Sequence, residues 1–337
     1  MKCETYGRNE PEAEMKRIAV LTSGGDGPGL NPCIRAVTRM AIHLGAEVIG
    51  VRRGYLGLIN GEVVELDRRA VGGVMGYGGT FLGTARCPEF QTEKGRREAL
   101  RTLNRLDIDG LVVIGGNGSL TGALELHRMG FPVVGVPATI DNDVNGTDIA
   151  IGVDTALNTI LDAIDRIKDT ASSHNRAFLI ETMGRNCGYL ALASGVAGGA
   201  ELVLIPEVET TMEEVARVIG DTYVRGKAHC IIIVAEGWKP GTRALVDYLN
   251  SRREELGFEI RLTVLGHIQR GGRPSAFDRL LATRLGAAAA EALLRGESGV
   301  MVGWRHDRAV TTPLEEAVAF CKEINLELWK LAAVMEV

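Results

Sequence analysis

Short apolar segments alternate with longer segments of helical periodicity along most of this chain. The segments RIAVLT, GLVVIGG and PVVGV are apolar at nearly every position, which is typical of strands buried on both faces of a sheet. The segments between and after them predict helices at residues 32–44, 120–129 and 155–171. Because parallel strands need long, usually helical, connections, this alternation predicts an α/β fold with mostly parallel sheets covered by helices.

The same pattern continues in the second half of the chain. Apolar strands such as AFLIE and HCIIIVA are accompanied by predicted helices at 212–225, 244–255 and 276–294. The 337 residues are enough for two adjacent α/β units of about 150 residues each. We predict the boundary between these units near Ile151.

Charge and cysteine usage exclude several classes of protein. The chain has 38 Lys and Arg against 43 Asp and Glu, which gives a net charge of -5. It therefore has no overall positive charge that would attract nucleic acid or an anionic membrane surface. No apolar segment reaches the ~18 residues of a membrane span, and residues 1–15 read as a loose, charged leader rather than a signal peptide. Scattered cysteines without a CxxC pair favour a reducing cytoplasm: Cys3, Cys33, Cys87, Cys187, Cys230 and Cys321.

Two glycine-rich turns stand between a predicted strand and a predicted helix. They are SGGDGPGLN at residues 23–31 and GGNGS at residues 115–119. Either turn alone is explained by a tight strand-to-helix connection, but two at the same sheet edge predict a site where backbone N–H groups bind an anion. Neither is a Walker A loop or a dinucleotide fingerprint, and Arg52 and Arg53 stand where an NAD enzyme needs an acid.

A third loop, at residues 137–148, concentrates carboxylates. Asp141, Asp143 and Asp148 follow an apolar strand in the sequence PATIDNDVNGTD. An Asx turn that closes into a helix cap would explain the loop by itself. Beside two anion-binding turns, however, it also suits phosphoryl transfer, which needs a proton acceptor and anions to hold magnesium. We expect Asp141 and Asp143 to point to opposite sides of an extended segment, one for chemistry and one for metal or loop positioning.

Several arginines lie beside glycines or at strand ends. Each alone is typical of a solvated surface charge, but together they predict a local anion trap in an acidic protein. His267, between a strand and a glycine turn, is the histidine that we place near a ligand, although a structural histidine explains it equally. The arginines are Arg86, Arg176, Arg185, Arg261, Arg270 and Arg273.

These motifs resemble those of the bacterial ATP-dependent 6-phosphofructokinases. SGGDGPGLN, FLGTAR, GGNGS, TIDND, ETMGR, PE and VLGHIQRGG occur in that family's order and spacing between about Lys16 and Arg305. The resemblance implies a larger nucleotide-binding unit of residues 16–152 plus 269–316. A smaller sugar-phosphate-binding unit would comprise residues 153–268 plus 317–337.

The resemblance implies transfer of the γ-phosphoryl group of Mg-ATP to the 1-hydroxyl of fructose 6-phosphate. Asp141 would be the general base, Thr139 and Asp143 its supporting loop, and Mg²⁺ would lie at Asn117, Asp141 and Asp143. Gly25, Arg86 and Arg185 would stabilise the transferring group. The sugar phosphate would contact Arg176, Met183, Gly184, Arg185, Glu236, Arg261, His267 and Arg270. ATP would contact Gly25, Tyr55, Arg86, Cys87, Arg96, Asn117, Gly118 and Ser119.

Two positions bear on the phosphoryl donor. A related branch of the family uses pyrophosphate and has Asp at the position of Gly118 and Lys at that of Ala138. The residues here therefore favour ATP. Asn117 departs from the family pattern, which has Asp, and the loss of one negative charge is expected to weaken metal binding.

The resemblance also implies an assembly and an effector pocket. Arg176 and Arg261 match residues that reach in from a neighbouring subunit, which implies a homotetramer with shared active sites. Lys168 and Arg69 depart from the effector pattern, so neither the effector nor its sign is predicted. The matching effector residues are Arg35, Arg39, Arg68, Glu201, Arg225 and Lys227.

Three alternatives remain open from the sequence. One is a phosphofructokinase that uses pyrophosphate or both donors. Another is an NAD or lipid kinase, since those enzymes share a GGDG turn, although they lack the combination of TIDND and GHIQRGG. The third is a non-catalytic sensor that keeps the sugar phosphate site, and Asn117 is its only support.

Overall fold

The computed structural model describes residues 15–335, which form eleven strands and twelve α-helices. The strands are β1 (Arg17–Thr22), β2 (Glu47–Val51), β3 (Val63–Glu65), β4 (Gly110–Gly115), β5 (Val133–Pro137), β6 (Arg176–Thr182), β7 (Leu202–Leu204), β8 (His229–Ala235), β9 (Glu259–Val264), β10 (Val300–Arg305) and β11 (Arg308–Pro313). The helices are α1 (Leu30–His43), α2 (Gly54–Asn60), α3 (Glu93–Arg105), α4 (Asn117–Arg128), α5 (Val153–His174), α6 (Tyr189–Gly198), α7 (Met212–Val224), α8 (Thr242–Ser251), α9 (Arg253–Leu256), α10 (Ala276–Leu294), α11 (Leu314–Ala319) and α12 (Leu326–Met335).

The larger sheet has seven strands in the order β11-β10-β5-β4-β1-β2-β3. Its central pairs are parallel, whereas β3 and β11 join the two edges antiparallel. Alternate residues of β1 serve both faces: Ile18 and Val20 pack in the layer under α1 and α10, and Ala19 and Leu21 pack in the layer under α2, α3 and α4. Burial on both faces explains why these strands are apolar throughout.

The smaller sheet has four parallel strands in the order β7-β8-β6-β9. One face packs against α5, α6 and α12, and the other against α7, α8 and α9. The α/β class with mostly parallel sheets is thus confirmed. The boundaries between the two predicted units stay a prediction, and residues 1–14 of the predicted leader lie outside the described residues. Met15 packs against the core of the larger sheet.

Most predicted helices are present, with shifted ends. The helix predicted at 120–129 begins earlier, at Asn117, because the chain turns into it directly after Gly116. The single helix predicted at 244–255 is wrong, since Arg252 leaves the helical conformation and separates α8 from α9. Within the described residues, no helix has both the length and the apolar character needed to span a bilayer.

Candidate active site

The carboxyl ends of β1, β4 and β5 open onto one cleft of about 490 Å³. This edge is where ligands bind in open α/β sheets, because loops and helix N-termini meet there. The cleft brings together most residues that were predicted for ATP and for chemistry. These are Gly25, Tyr55, Arg86, Cys87, Asn117, Gly118, Ser119, Thr139, Asp141 and Asp143. Arg270, which was predicted for the sugar phosphate, also lines the cleft.

The two glycine-rich turns form one wall of this cleft. Helix α4 begins at Asn117, so the first N–H groups of a twelve-residue helix face the ligand space beside Gly118. Such a helix end attracts anions, since its N–H groups have no carbonyl partner within the helix. A Cβ at Gly25 would lie too close to Nη1 of Arg270, so a larger residue here would require that guanidinium to move. Arg270 also donates to the carbonyl of Asp26 at 3.1 Å, which fixes its guanidinium at the turn.

A stacked aromatic pair forms an apolar part of the wall. The rings of Tyr55 and Phe90 are parallel within 13° with centroids 3.9 Å apart, and both residues line the cleft. The Tyr55 hydroxyl donates to the carbonyl of Ser119 at 2.6 Å, which ties this pair to α4. Phe90 was not among the predicted site residues, although the sequence PEF directly follows the predicted contact Cys87.

The acidic loop folds back on itself instead of running extended. Asn142 has the left-handed backbone conformation, with φ of 52°, and its side chain accepts from the Ala150 N–H at 3.0 Å. Asn tolerates this conformation better than most residues. The expectation that Asp141 and Asp143 face opposite sides of an extended segment is therefore wrong, because the chain turns at Asn142 and both aspartates line the same cleft.

Burial raises the pKa of both carboxylates, and the charge of Asp143 acts on Asp141. Burial raises the pKa of Asp141, the charge of Asp143 raises it further, and the positive charge of Arg270 opposes both effects. Burial also raises the pKa of Asp143, although hydrogen bonds from its backbone and from Asn117 oppose that shift. A carboxylate whose pKa is raised in this way is a stronger proton acceptor than an ordinary surface Asp.

Asn117 leaves one side-chain oxygen without a partner. Its Nδ2 donates to the carbonyl of Asp143 at 3.2 Å, whereas its Oδ1 is buried and has no hydrogen-bond partner. An amide oxygen and two carboxylates are hard ligands of the kind that Mg²⁺ takes alongside waters and phosphates. Nowhere between residues 15 and 335 do three or more His, Cys, Asp or Glu side chains cluster to hold a metal. Asn117, Asp141 and Asp143 therefore offer a magnesium ion two carboxylates and one amide oxygen.

The predicted sugar phosphate residues follow the carboxyl ends of the smaller sheet. Met183, Gly184 and Arg185 follow β6, and Glu236 follows β8. The two segments touch, since the Gly237 N–H donates to the carbonyl of Gly184 at 3.2 Å. The charges of Arg185 and Glu236 both act on Asp141, which places this edge beside the cleft.

His267 and Arg270 lie on the 3-10 helix that follows β9. His267 is exposed. Gln269, between them in the sequence, was not among the predicted site residues. It is fully buried, and its side-chain oxygen accepts from the Met183 N–H at 3.1 Å. Gln269 therefore joins the segment after β9 to the segment after β6.

Several predicted arginines lie outside the cleft lining, among them Arg96, Arg176, Arg185 and Arg261. Arg96 forms an ion pair with Glu125 at 3.4 Å and donates to the Gln91 carbonyl. Arg176 donates to Glu259 at 2.7 Å, and Arg261 pairs with the same carboxylate. Arg176 begins β6, so this pair of arginines stands toward the opposite end of the strand from Met183.

The predicted effector residues fall into separate groups. Arg35 and Arg39 lie one turn apart on α1, and Arg39 donates to the Arg68 carbonyl at 3.4 Å. Burial and the neighbouring charge of Arg39 lower the pKa of Arg35. Near the smaller sheet, Lys227 pairs with the buried Glu201 at 3.2 Å. Arg225 is the residue at the end of α7 and is exposed.

Comparison with known proteins identifies the family. The model of the phosphofructokinase family matches residues 17–293. ATP-dependent 6-phosphofructokinase 1 of Thermus thermophilus is 56% identical over 95% of this chain and 99% of the relative. The ATP-dependent 6-phosphofructokinase of Thermotoga neapolitana is 52% identical over 95% of this chain and 100% of the relative.

Solved structures agree in fold. Phosphofructokinase from Saccharomyces cerevisiae has a TM-score of 0.82 at 38% identity and covers 95% of this chain, which spans 47% of that longer chain. A pyrophosphate-dependent phosphofructokinase from Marinobacter aquaeolei has a TM-score of 0.81 at 24% identity, over 93% of this chain and 86% of its own. That second likeness shows the fold alone. The chain described here belongs to the phosphofructokinase family.

Proposed function

We propose that this chain transfers the γ-phosphoryl group of ATP to the 1-hydroxyl of fructose 6-phosphate, which gives fructose 1,6-bisphosphate and ADP. One observation carries the proposal. Asp141, a half-buried carboxylate with a raised pKa, shares a cleft with the N-terminus of α4 and with Arg86 and Arg270. A base and an anion-binding wall in one cleft suit phosphoryl transfer to an alcohol.

Asp141 accepts the proton of the attacking hydroxyl. Its N–H donates to the Thr139 hydroxyl at 3.2 Å, which orients the start of the loop. Burial and the charge of Asp143 hold its pKa above the usual range of Asp, so its affinity for the hydroxyl proton is higher. The hydroxyl oxygen then attacks the γ-phosphorus as the bond to the β-phosphate oxygen breaks, without a covalent intermediate on the protein.

Positive groups stabilise the transferring phosphoryl group and hold the substrates. The Gly25 backbone, Arg86 and the N-terminal N–H groups of α4 bind the phosphates of ATP, while Arg185 and Arg270 face the transferred group from the sugar side. Met183, Gly184, Glu236 and His267 complete the sugar phosphate site. The Tyr55 and Phe90 stack offers the nucleotide an apolar surface next to Cys87.

The residues at two positions, Gly118 and Ala138, favour ATP as the donor. No atom lies within 4 Å of the position that a Cβ on Gly118 would take. Because Gly118 has no side chain, this space beside the N-terminus of α4 is open to the α-phosphate. Ala138 supplies no cation for a free pyrophosphate. The curated relatives named above are ATP-dependent enzymes, which supports the same choice.

Asp141, Asp143 and Asn117 would hold Mg²⁺ with the phosphates. When bound, the ion supplies positive charge that neutralises the β- and γ-phosphate oxygens. Asn117 contributes its unpartnered Oδ1, and Asp143 contributes a carboxylate next to it.

We also propose a cytoplasmic homotetramer with shared sites. Arg176 and Arg261 lie outside the cleft of their own chain and pair with Glu259, which supports a role toward a neighbouring subunit. The effector residues on α1 and near Glu201 belong to the same proposal. The scattered cysteines support a cytoplasmic location.

The experiment that tests the function compares wild type with Asp141→Ser. We expect the variant to lose turnover by a factor of roughly 10²–10⁴, the contribution of a general base, while it still binds fructose 6-phosphate. Near-normal turnover in the variant would refute the role of Asp141. Binding without turnover in the wild type would instead identify the sensor alternative.

A further inference from the structure

The C-terminal segment that follows α11 is attached to the catalytic loop. The Lys322 N–H donates to the carbonyl of Asp143 at 2.8 Å, and the neighbouring Cys321 forms an antiparallel bridge with Val144. The Lys322 ammonium donates to the carbonyls of Thr147 at 3.0 Å and Asp148 at 2.6 Å. Lys322 therefore contacts both limbs of the acidic loop: the first limb, which carries Asp141 and Asp143, and the second limb, which carries Thr147 and Asp148.

The two limbs of this loop differ in their other attachments. The Asp148 N–H donates to the Trp304 carbonyl at 2.7 Å, so that limb is also anchored to β10. The carbonyl of Asp143 accepts from Nδ2 of Asn117 at 3.2 Å in addition to the Lys322 N–H. The limb that carries the catalytic carboxylates thus relies on the C-terminal segment for its shorter hydrogen bond.

A second cavity gives the loop space to relax. It has a volume of about 300 Å³, and Asn142, Tyr189 and Lys322 are among its walls. Asn142 lies between the two aspartates of the active-site cleft, so this cavity lies directly behind the catalytic turn. Loss of the Lys322 ammonium would leave the Thr147 carbonyl without this donor. The Asp148 carbonyl would keep only the longer contact of 3.4 Å from Nδ2 of Asn142, with open space beside it.

We propose that Lys322 is a positioning residue, which holds the catalytic loop so that Asp141 and Asp143 face the substrates. This inference rests on the proposed function. Lys322 lines this second cavity and not the active-site cleft, so it acts through the loop rather than on the substrates. Small displacements of reacting groups reduce rates strongly, and about 1 Å can cost on the order of 100-fold.

The test compares Lys322→Met with Lys322→Arg and with Lys330→Met, an exposed lysine on α12 that serves as the control. For Lys322→Met we expect kcat to fall about 10- to 100-fold, with KM for both substrates within about twofold of wild type. Arg keeps two donors for the carbonyls and is expected to restore kcat to within about threefold. Unchanged kcat in Lys322→Met, or an equal loss in Lys330→Met, would overturn the proposal.

A second measurement does not depend on activity. Hydrogen–deuterium exchange of residues 143–148 is expected to accelerate in Lys322→Met and to stay at the wild-type rate in Lys330→Met. Unchanged exchange in this loop would overturn the positioning role even if the wild type proved inactive. Wild-type inactivity with ATP would count against the proposed function alone. If Lys322→Met does not fold, Lys322→Gln, which keeps one donor group, is judged by the same outcomes.

Discussion

The side-chain amide of Asn117 donates a hydrogen bond of 3.2 Å to the backbone carbonyl of Asp143, and its oxygen has no partner. The first residue of α4 is thereby linked to the acidic loop at the place where the family pattern has Asp. An amide can donate to this carbonyl, whereas a carboxylate cannot. The substitution therefore exchanges one negative charge for a contact that helps to hold the loop.

We expect Asn117→Asp to lower the concentration of Mg²⁺ needed for half-maximal rate, because the added charge strengthens a site for a hard cation. Without Mg²⁺, the variant should lose about 1 kcal/mol of stability, since a donor to the Asp143 carbonyl is replaced by an acceptor. Magnesium titrations of the rate and urea unfolding in chelator measure the two effects. An unchanged magnesium titration would remove Asn117 from the metal site.

The raised pKa of Asp141 predicts the acid side of the pH profile. Only the deprotonated carboxylate accepts a proton, so kcat/KM falls as the pH drops through that pKa, and this fall should occur above the range of an ordinary Asp. Asp143→Asn removes the repelling charge and should move the pKa of Asp141 to lower pH. Asp148 is an exposed residue of the same loop, so Asp148→Asn should leave the pKa of Asp141 unchanged.

Carboxyl NMR titration of the metal-free protein gives this comparison directly, because it separates the charge of Asp143 from its contact with magnesium. An Asp141 resonance with the same titration midpoint in wild type and Asp143→Asn would show that the two carboxylates do not interact.

Gly118→Asp should impair use of ATP without impairing the fold. The Cβ meets no atom within 4 Å, and an acid in the first turn of α4 adds about 0.3–1 kcal/mol of stability. The new carboxylate would repel the phosphates of ATP, so KM for ATP should rise about tenfold or more. Gly118→Asn supplies similar bulk without the charge. Equal effects of both variants would indicate crowding rather than repulsion.

Asp278 should contribute strongly to stability. This buried carboxylate on α10 accepts from the Gly152 N–H at 2.9 Å, the Thr155 N–H at 2.8 Å and the Thr155 hydroxyl at 2.5 Å, at the start of α5. Asp278→Asn replaces one acceptor oxygen with a donor and should cost about 3 kcal/mol in urea unfolding. The exposed Asp307→Asn should change stability by less than about 1 kcal/mol. Similar unfolding of the two variants would contradict this role.

In the larger sheet, the sequence predicts the central strands better than the two edge strands. Strands buried on both faces, such as β1 and β4, are unambiguous because nearly every position is apolar. The antiparallel edge strands β3 and β11 are absent from the sequence prediction, since VVE and RAVTTP are short or largely polar and only half-buried. The break between α8 and α9 depends on local backbone angles at Arg252 that periodicity does not report.

The candidate site was predictable where short motifs carry it. The glycine turns, Arg86 and the acidic loop meet in one cleft because the carboxyl ends of parallel strands share an edge. The direction of the Asp143 side chain was not predictable from alternation, because Asn142 turns the chain. Gln269 lies inside the motif VLGHIQRGG, but its contact with Met183 is distant in sequence. Lys322 contacts the acidic loop from far along the chain, and no local pattern indicates it.

The most direct test of the account is the initial rate of fructose 1,6-bisphosphate formation from fructose 6-phosphate and Mg²⁺, with ATP and pyrophosphate offered as donors in parallel. We predict turnover with ATP and none above background with pyrophosphate. Turnover with pyrophosphate alone, or no turnover with either donor despite binding of fructose 6-phosphate, would contradict the account.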